Sequence, residues 1–313
     1  METTNNKPLL SIQAAAALYL NAHVNSCLPL GSGAQGKLYK VSIDKEPFEL
    51  ALKLSDHAQL LQEEYDNIRF LQDHAEIKLP RLYFLHLATE EIGQNMMAME
   101  YFPGSCAADK KFRWRSRAKK RNFSKSAIDN LEKLHQVKNN KFGPVGNAVY
   151  DDWHAYYRPL ANWILEQAEA ACKDGKFPEQ VFSVMKTAFN RYDDIFCEKI
   201  GKPTLIHGDY WPPNLIIDDT TMELIGVVDP FNILWADPDY ELFTLTADGY
   251  HRYKLYEEYK KRFGISDRCD LKNEFYALFS EVLWFTRLGT KFDSFLIYKA
   301  KLLKKQMKRF KLL

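Results

Sequence analysis

Apolar residues in this chain change their period near residue 102, and this change constrains the fold more than any other feature. Between Leu30 and Tyr101 they recur mostly at every second position, the spacing of a half-buried strand. Lys37 to Ile43 places Tyr39, Val41 and Ile43 on one face. After the turn Asp44-Lys45-Glu46-Pro47, residues Phe48, Leu50, Leu52 and Leu54 alternate with Glu49, Ala51 and Lys53, which predicts a β-hairpin. Arg81 to Thr89 and Asn95 to Tyr101 form a second strand pair around Glu90-Glu91-Ile92-Gly93. Helical spacing appears at 11–23, with Ser11 as N-cap, and at 57–74 through Leu60, Leu61, Ile68 and Leu71. Beyond Pro103-Gly104 the chain reads as helices over 126–138, 151–172, 178–199, 239–262, 270–288 and 293–312, with one β interruption at 215–228. The expected class is α+β: a small antiparallel-sheet lobe over residues 1–100 and a larger helical lobe over 101–313.

Twenty Phe, 17 Tyr and 6 Trp among 313 residues supply ample surface for two cores. No run reaches the roughly 18 uncharged apolar residues of a membrane span, and the N-terminal stretch lacks the basic region of a secretory signal. Five scattered cysteines without a CxxC pair exclude a dense disulfide framework and a standard zinc site, so the expected location is the cytoplasm. The formal charge of +2 hides an asymmetry. Residues 109–125 carry a net +8 and residues 299–313 a net +7, which leaves −13 on the rest. Both basic stretches read either as solvated faces or as contacts for an anionic partner. The segment 109–125 fits no RNA-binding motif, so nucleic acid is not the expected partner. Monomer and dimer both stay open.

The hairpin opens with Gly31-Ser32-Gly33-Ala34-Gln35-Gly36. A GxGxxG that opens a helix is a dinucleotide fingerprint. This one opens a strand, which suits the glycine-rich nucleotide loop of kinase-type sites. Gly31, Gly33 and Gly36 would let backbone N–H groups approach phosphate oxygens. Lys53 follows one hairpin later, on the strand face opposite Leu50, Leu52 and Leu54, where it would reach the same phosphates. The next helix offers Glu63 and Glu64 to hold its ammonium. Glu64 is the better placed, because Ile68 and Leu71 at +4 and +7 share its stripe.

The stretch Leu205 to Ile217 carries the chemistry. Asp209 and Asn214 have the Asp-x-x-x-x-Asn spacing of kinase catalytic loops, where the Asp orients or deprotonates a hydroxyl and the Asn binds Mg²⁺. Strands 215–217 and 224–228 form a hairpin whose open ends bring Asn214 and Asp229 together as a Mg²⁺-phosphate site.

These residues resemble the aminoglycoside phosphotransferase/choline kinase superfamily, most closely its fructosamine-kinase-like branch. His207-Gly208-Asp209-Tyr210-Trp211-Pro212-Pro213-Asn214, with Asp229-Pro230, is similar to that branch's catalytic pattern, and Leu131, Leu134 and His135 match its Leu-His helix. Met97 to Tyr101 resembles the hinge, which places Glu100 and Tyr101 at the nucleotide. The resemblance implies a protein-kinase-like bilobal fold, ATP and Mg²⁺. Tyr210, Pro212-Pro213 and Phe231 depart from the pattern, and Glu241 stands where an Asp-Leu pair is usual. Only seven residues separate Asp229 from Asp237, too few for a peptide-binding activation loop, so the expected acceptor is a small-molecule hydroxyl. The resemblance implies a sugar, ketosamine or amino alcohol. Trp153, Tyr156, Tyr157, Trp163, Trp211, Trp235 and Asp237 are candidates for its pocket, while for each aromatic taken alone structural core is the favoured reading. His135 and His207 read as structural histidines. The alternative is a nucleotide-binding pseudokinase that works as a binding or regulatory module.

Overall fold

A computed structural model describes residues 7–33, 36–247, 249–289 and 293–313. The class is α+β, as expected, in two compact units. One comprises Met1–Phe123 with Pro212–Phe231, the other Ser124–Trp211 with Asn232–Leu313. These units differ from a division at residue 100 by the segments 101–123 and 212–231, which belong with the sheet.

In the first unit, helix α1 (Lys7–Leu20) precedes strands β1 (Val24–Gly33), β2 (Gly36–Ile43) and β3 (Glu49–Ser55). Helix α2 (Ala58–His74), β4 (Leu82–His86) and β5 (Asn95–Glu100) follow. The strands make one antiparallel sheet in the order β1-β2-β3-β5-β4. The alternation read in β3 sorts its residues onto two cores. Leu50, Leu52 and Leu54 pack with Ile12 and Ala15 of α1, Phe84 and Met96. Ala51 packs with Leu61 and Ile68 of α2, Met97 and Met99. Phe48 does not continue the stripe. It sits in the turn at φ 62° and is exposed.

Helix α1 starts four residues before Ser11, so that residue lies inside the helix. It ends at Leu20 because Asn21 is left-handed (φ 48°) and returns its N–H to Ala17. Strand β1 begins at Val24, earlier than expected. It is a sheet edge with no buried residue, so it has no apolar alternation to read. A short strand, Ser105–Cys106, pairs with Leu215–Ile217, which pairs in turn with Leu224–Val227 as the predicted hairpin.

The second unit is mainly helical: α3 (Arg117–Gln136, whose first turns lie in the sheet unit's segment), α4 (Trp153–Lys173), α5 (Glu179–Phe189), α6 (Tyr192–Ile195), α7 (Asp239–Leu245), α8 (Leu255–Phe263), α9 (Cys269–Leu288) and α10 (Asp293–Arg309). Helix α3 begins nine residues before the expected 126, through a charged stretch that hides its period. The expected helix 239–262 is two helices, and the second is preceded by a 3-10 helix at His251–Tyr253 and a left-handed Lys254. The helix expected over 178–199 also divides, at Asn190-Arg191. Strands of two or three residues at Gly143–Pro144, Thr204–Leu205 and Leu234–Ala236 form a small sheet too short to leave a periodic signal. Several of the candidate pocket aromatics belong to the core, the reading favoured for each of them alone. Trp153 and Tyr157 are fully buried and stack at 5.3 Å, and Trp235 is buried in the small sheet. Large apolar rings gain most from leaving water, which outweighs a surface role.

Candidate active site

In the sheet unit the site is built around Lys53. Leu38 and Met97 flank it in register, and the side chain points to the α2 side of the sheet. Its ammonium lies 2.5 Å from Glu64 Oε2 and 2.8 Å from Asp229 Oδ1. Glu64 is buried on the stripe with Leu61, Ile68 and Leu71, whereas Glu63 is exposed and accepts from Gln59. The pairing is therefore with Glu64, as the helix-face argument requires.

Asp229 reaches Lys53 because the hairpin carries it there. The Val228 N–H donates to the Asn214 carbonyl at 3.0 Å, closing the hairpin mouth and setting Asn214 one residue from Asp229 across the pair. The Val227 N–H donates to the Lys78 carbonyl, and Asn67 of α2 donates to the Pro230 carbonyl, so both ends of Asp229 are held. Asp229 itself is left-handed at φ 54°, a strained conformation for a non-glycine residue, and its side chain is 46% exposed.

Electrostatics set the state of this cluster. Burial works to lower the Lys53 pKa, but the charges of Asp229 and Glu64 outweigh it and hold the ammonium protonated. Burial pushes Glu64 up to about 8. The Lys53 charge opposes that shift, and the Asp229 charge adds to it. The Glu64 and Asp229 carboxyl groups thus share one ammonium. The exposed Asp229 carboxylate with the Asn214 carboxamide oxygen is the kind of hard donor set Mg²⁺ accepts alongside phosphate and water. Among the described residues no group of three or more His, Cys, Asp or Glu could hold a metal, so a site of this kind would complete its shell with nonprotein oxygens.

The glycine loop joins β1 to β2, with Ala34 and Gln35 outside the described residues. At Gly36 (φ 149°) a Cβ would lie 2.0 Å from the Leu54 carbonyl oxygen, so the chain itself requires glycine there. Gly31 and Gly33 have open space where a Cβ would stand. Glu100 ends β5, where its carboxylate accepts from the Arg81 N–H at 3.1 Å. The Tyr101 ring lies under the Lys40 ammonium at 4.4 Å.

In the helical unit, the loop 207–211 is fastened from two sides. Glu241 of α7, fully buried, accepts from the backbone N–H groups of His207, Gly208 and Tyr210 at 2.5, 3.2 and 3.4 Å. Gly208 is left-handed at φ 78°, which helps turn successive N–H groups towards one carboxylate. The Tyr210 hydroxyl donates to the Ala127 carbonyl of α3, and the Thr244 hydroxyl donates to the Tyr210 carbonyl. The Asp209 N–H donates to His207 Nδ1 at 3.3 Å. Asp209 is half-buried on this fastened loop. Glu241 and Thr244 are the positioning residues that sequence reasoning passed over. The only trace of Glu241 was its departure from an Asp-Leu pair.

Trp211 is half-buried, with Tyr250 edge-on at 6.1 Å and its indole N–H buried without a hydrogen-bond partner. Asp237 does not face a pocket. It is 3% exposed and is taken up by Lys272 at 3.0 Å and Tyr276 at 3.2 Å, because a carboxylate sealed among helices needs an internal cation. His135 is structural, as expected: it pairs with the Tyr259 hydroxyl, and burial brings its pKa down to about 3.

Residues 26–268 match the phosphotransferase enzyme family, and no curated protein matches the chain. A crystallised fructosamine-3-kinase candidate from Haemophilus somnus 129PT is 16% identical with a TM-score of 0.70, over 95% of this chain and 97% of that one. A thermostable mutant of aminoglycoside phosphotransferase APH(4)-Ia, in ternary complex with AMP-PNP and hygromycin B, is 12% identical with a TM-score of 0.70, over 94% of this chain and 98% of that one. APH(2'')-IIa in complex with gentamicin is 15% identical with a TM-score of 0.65, over 93% and 94%. The match covers most of the chain and includes the Lys53–Glu64–Asp229 cluster and the Asp209 loop, and the chain belongs to the phosphotransferase enzyme family as a kinase-type phosphotransferase.

Proposed function

We propose that the protein transfers the γ-phosphoryl group of ATP to a hydroxyl of a sugar, ketosamine or amino-alcohol substrate. The observation that carries this reading is the single ammonium of Lys53 held between Glu64 and Asp229, with Asn214 across the hairpin from Asp229. Lys53 would hold the phosphates, and the N–H groups around Gly31, Gly33 and Gly36 would lie over them. The backbone of Glu100 and Tyr101 would border the base. Asn214 and Asp229 would hold Mg²⁺, which supplies neutralisation of the phosphate charge when bound. Asp209, five positions before Asn214 in the chain, would orient the acceptor hydroxyl or take its proton. The Trp211 ring, half-buried on the same loop, would border the acceptor. Catalysis on this reading is positioning and charge neutralisation.

Asp209→Asn tests it: turnover should fall by roughly a hundredfold or more while Mg²⁺-ATP still raises the melting temperature. Near wild-type turnover of the variant on the true acceptor would overturn the role of Asp209. A metabolite extract with labelled ATP would identify the acceptor. ATP binding without any labelled product would favour the pseudokinase reading.

A further inference from the structure

We infer that the segment from Lys110 to Arg121 is a docking surface for the anionic face of a phospholipid bilayer. Eight of its twelve residues are Lys or Arg, and none is acidic. At its centre Trp114 is 85% exposed, more than any other large apolar side chain described, with the Arg113 guanidinium over its ring at 5.4 Å.

Its exposure does not come from a loose loop. Phe112, two residues before, is fully buried, and the Asp109 carboxylate accepts from the Lys111 N–H at 2.9 Å. The Lys111 ammonium pairs with Asp219 at 2.5 Å, and Arg115 donates to the Asp219 carbonyl at 3.2 Å. The chain is therefore fastened on both sides of Trp114, and the indole is presented at little further cost in conformational entropy. Arg117 and Arg121, one turn apart on α3 and both exposed, extend the cationic face.

Within the sheet unit the surface meets the hairpin at the end opposite Asn214 and Asp229. Asp219 sits at the turn of the hairpin whose opposite end carries Asn214 and Asp229, and strand 215–217 alone separates the two ends by roughly 10 Å. The recorded contacts of the segment with the hairpin, from Lys111 and Arg115, are at its turn. An indole with a ring of Lys and Arg matches the headgroup layer, where Trp partitions and basic side chains meet anionic lipid. Single-stranded nucleic acid needs successive stacking platforms. Phe112, the other ring of the segment, and Phe123 just beyond it are fully buried and offer none.

Co-sedimentation of the full chain with phosphatidylglycerol-containing vesicles, pure phosphatidylcholine vesicles and a single-stranded RNA homopolymer tests this. Binding to the anionic vesicles is expected to exceed that to phosphatidylcholine by roughly tenfold or more and to weaken with salt. Trp114→Ala, and separately the triple change Arg113→Gln, Arg117→Gln and Arg121→Gln, should each cut it about tenfold at unchanged melting temperature. Absence of vesicle binding, equal binding to both lipids, preference for the RNA, or full binding by both variants would overturn the proposal. No arm uses ATP, so a failure here is distinct from a failure of the phosphotransfer reading.

Discussion

At the scale of single residues, Glu241 offers the sharpest test of how the loop 207–211 is held. Burial pushes its carboxyl up to about 7 from an ordinary value of 4.5, against three backbone N–H donors that pull it down. The folded protein therefore holds this proton more tightly than the unfolded chain. Its stabilising contribution is complete below pH 4.5 and is lost as the pH rises to about 7. The interval corresponds to about 3 kcal/mol. Glu241→Gln cannot ionise, so urea unfolding at about pH 5 and about pH 8 should show a smaller loss of stability in the variant, by up to that amount. Equal losses in the two proteins would show that the carboxylate costs nothing to bury. Lys53 and Glu64 lie at the opposite extreme of legibility: strand alternation and helix spacing suffice to place both.

At the scale of elements, the glycine loop separates two uses of glycine. Gly36→Ala drives a Cβ into the Leu54 carbonyl across the β2–β3 pair, so it should lower stability by about 2 kcal/mol, several degrees in melting temperature. Gly31→Ala and Gly33→Ala meet open space and should leave melting nearly unchanged while raising KM for ATP. Thermal melts and ATP titrations of the three variants check this; a large melting loss at Gly31 would contradict it. The same scale explains the misplaced boundaries. Helix α3 reaches back through a run of Lys and Arg that carries no apolar stripe, and β1 is an edge with no buried face. Where an element does not bury a regular face, its sequence does not announce it.

At the scale of the whole molecule, charge discriminates the acceptor. Outside its two basic stretches the chain carries −13, which would draw in a cationic sugar or amine. For such an acceptor kcat/KM should fall as salt rises from about 0.01 to about 0.15 M, over which the screening length contracts from about 30 to about 8 Å. Neutralising Arg113, Arg115 and Arg117 should change it by no more than about twofold, as expected of a docking surface that meets the hairpin at its turn. A large loss with ATP affinity unchanged would point to an anionic acceptor instead.

By itself the sequence determined the α+β class, the hairpins, and the placing of Lys53 opposite Glu64 and of Asn214 beside Asp229, because each rests on local spacing within a strand, a helix or a hairpin. The tertiary structure alone decided the rest. Glu241 meets His207 from 34 positions away, Asp237 is neutralised by Lys272 from 35 away, and Trp153 and Tyr157 are core rather than pocket. Local periodicity records which face an element buries. A buried polar group finds its partner only through chain closure over long separations, and that leaves no periodic trace.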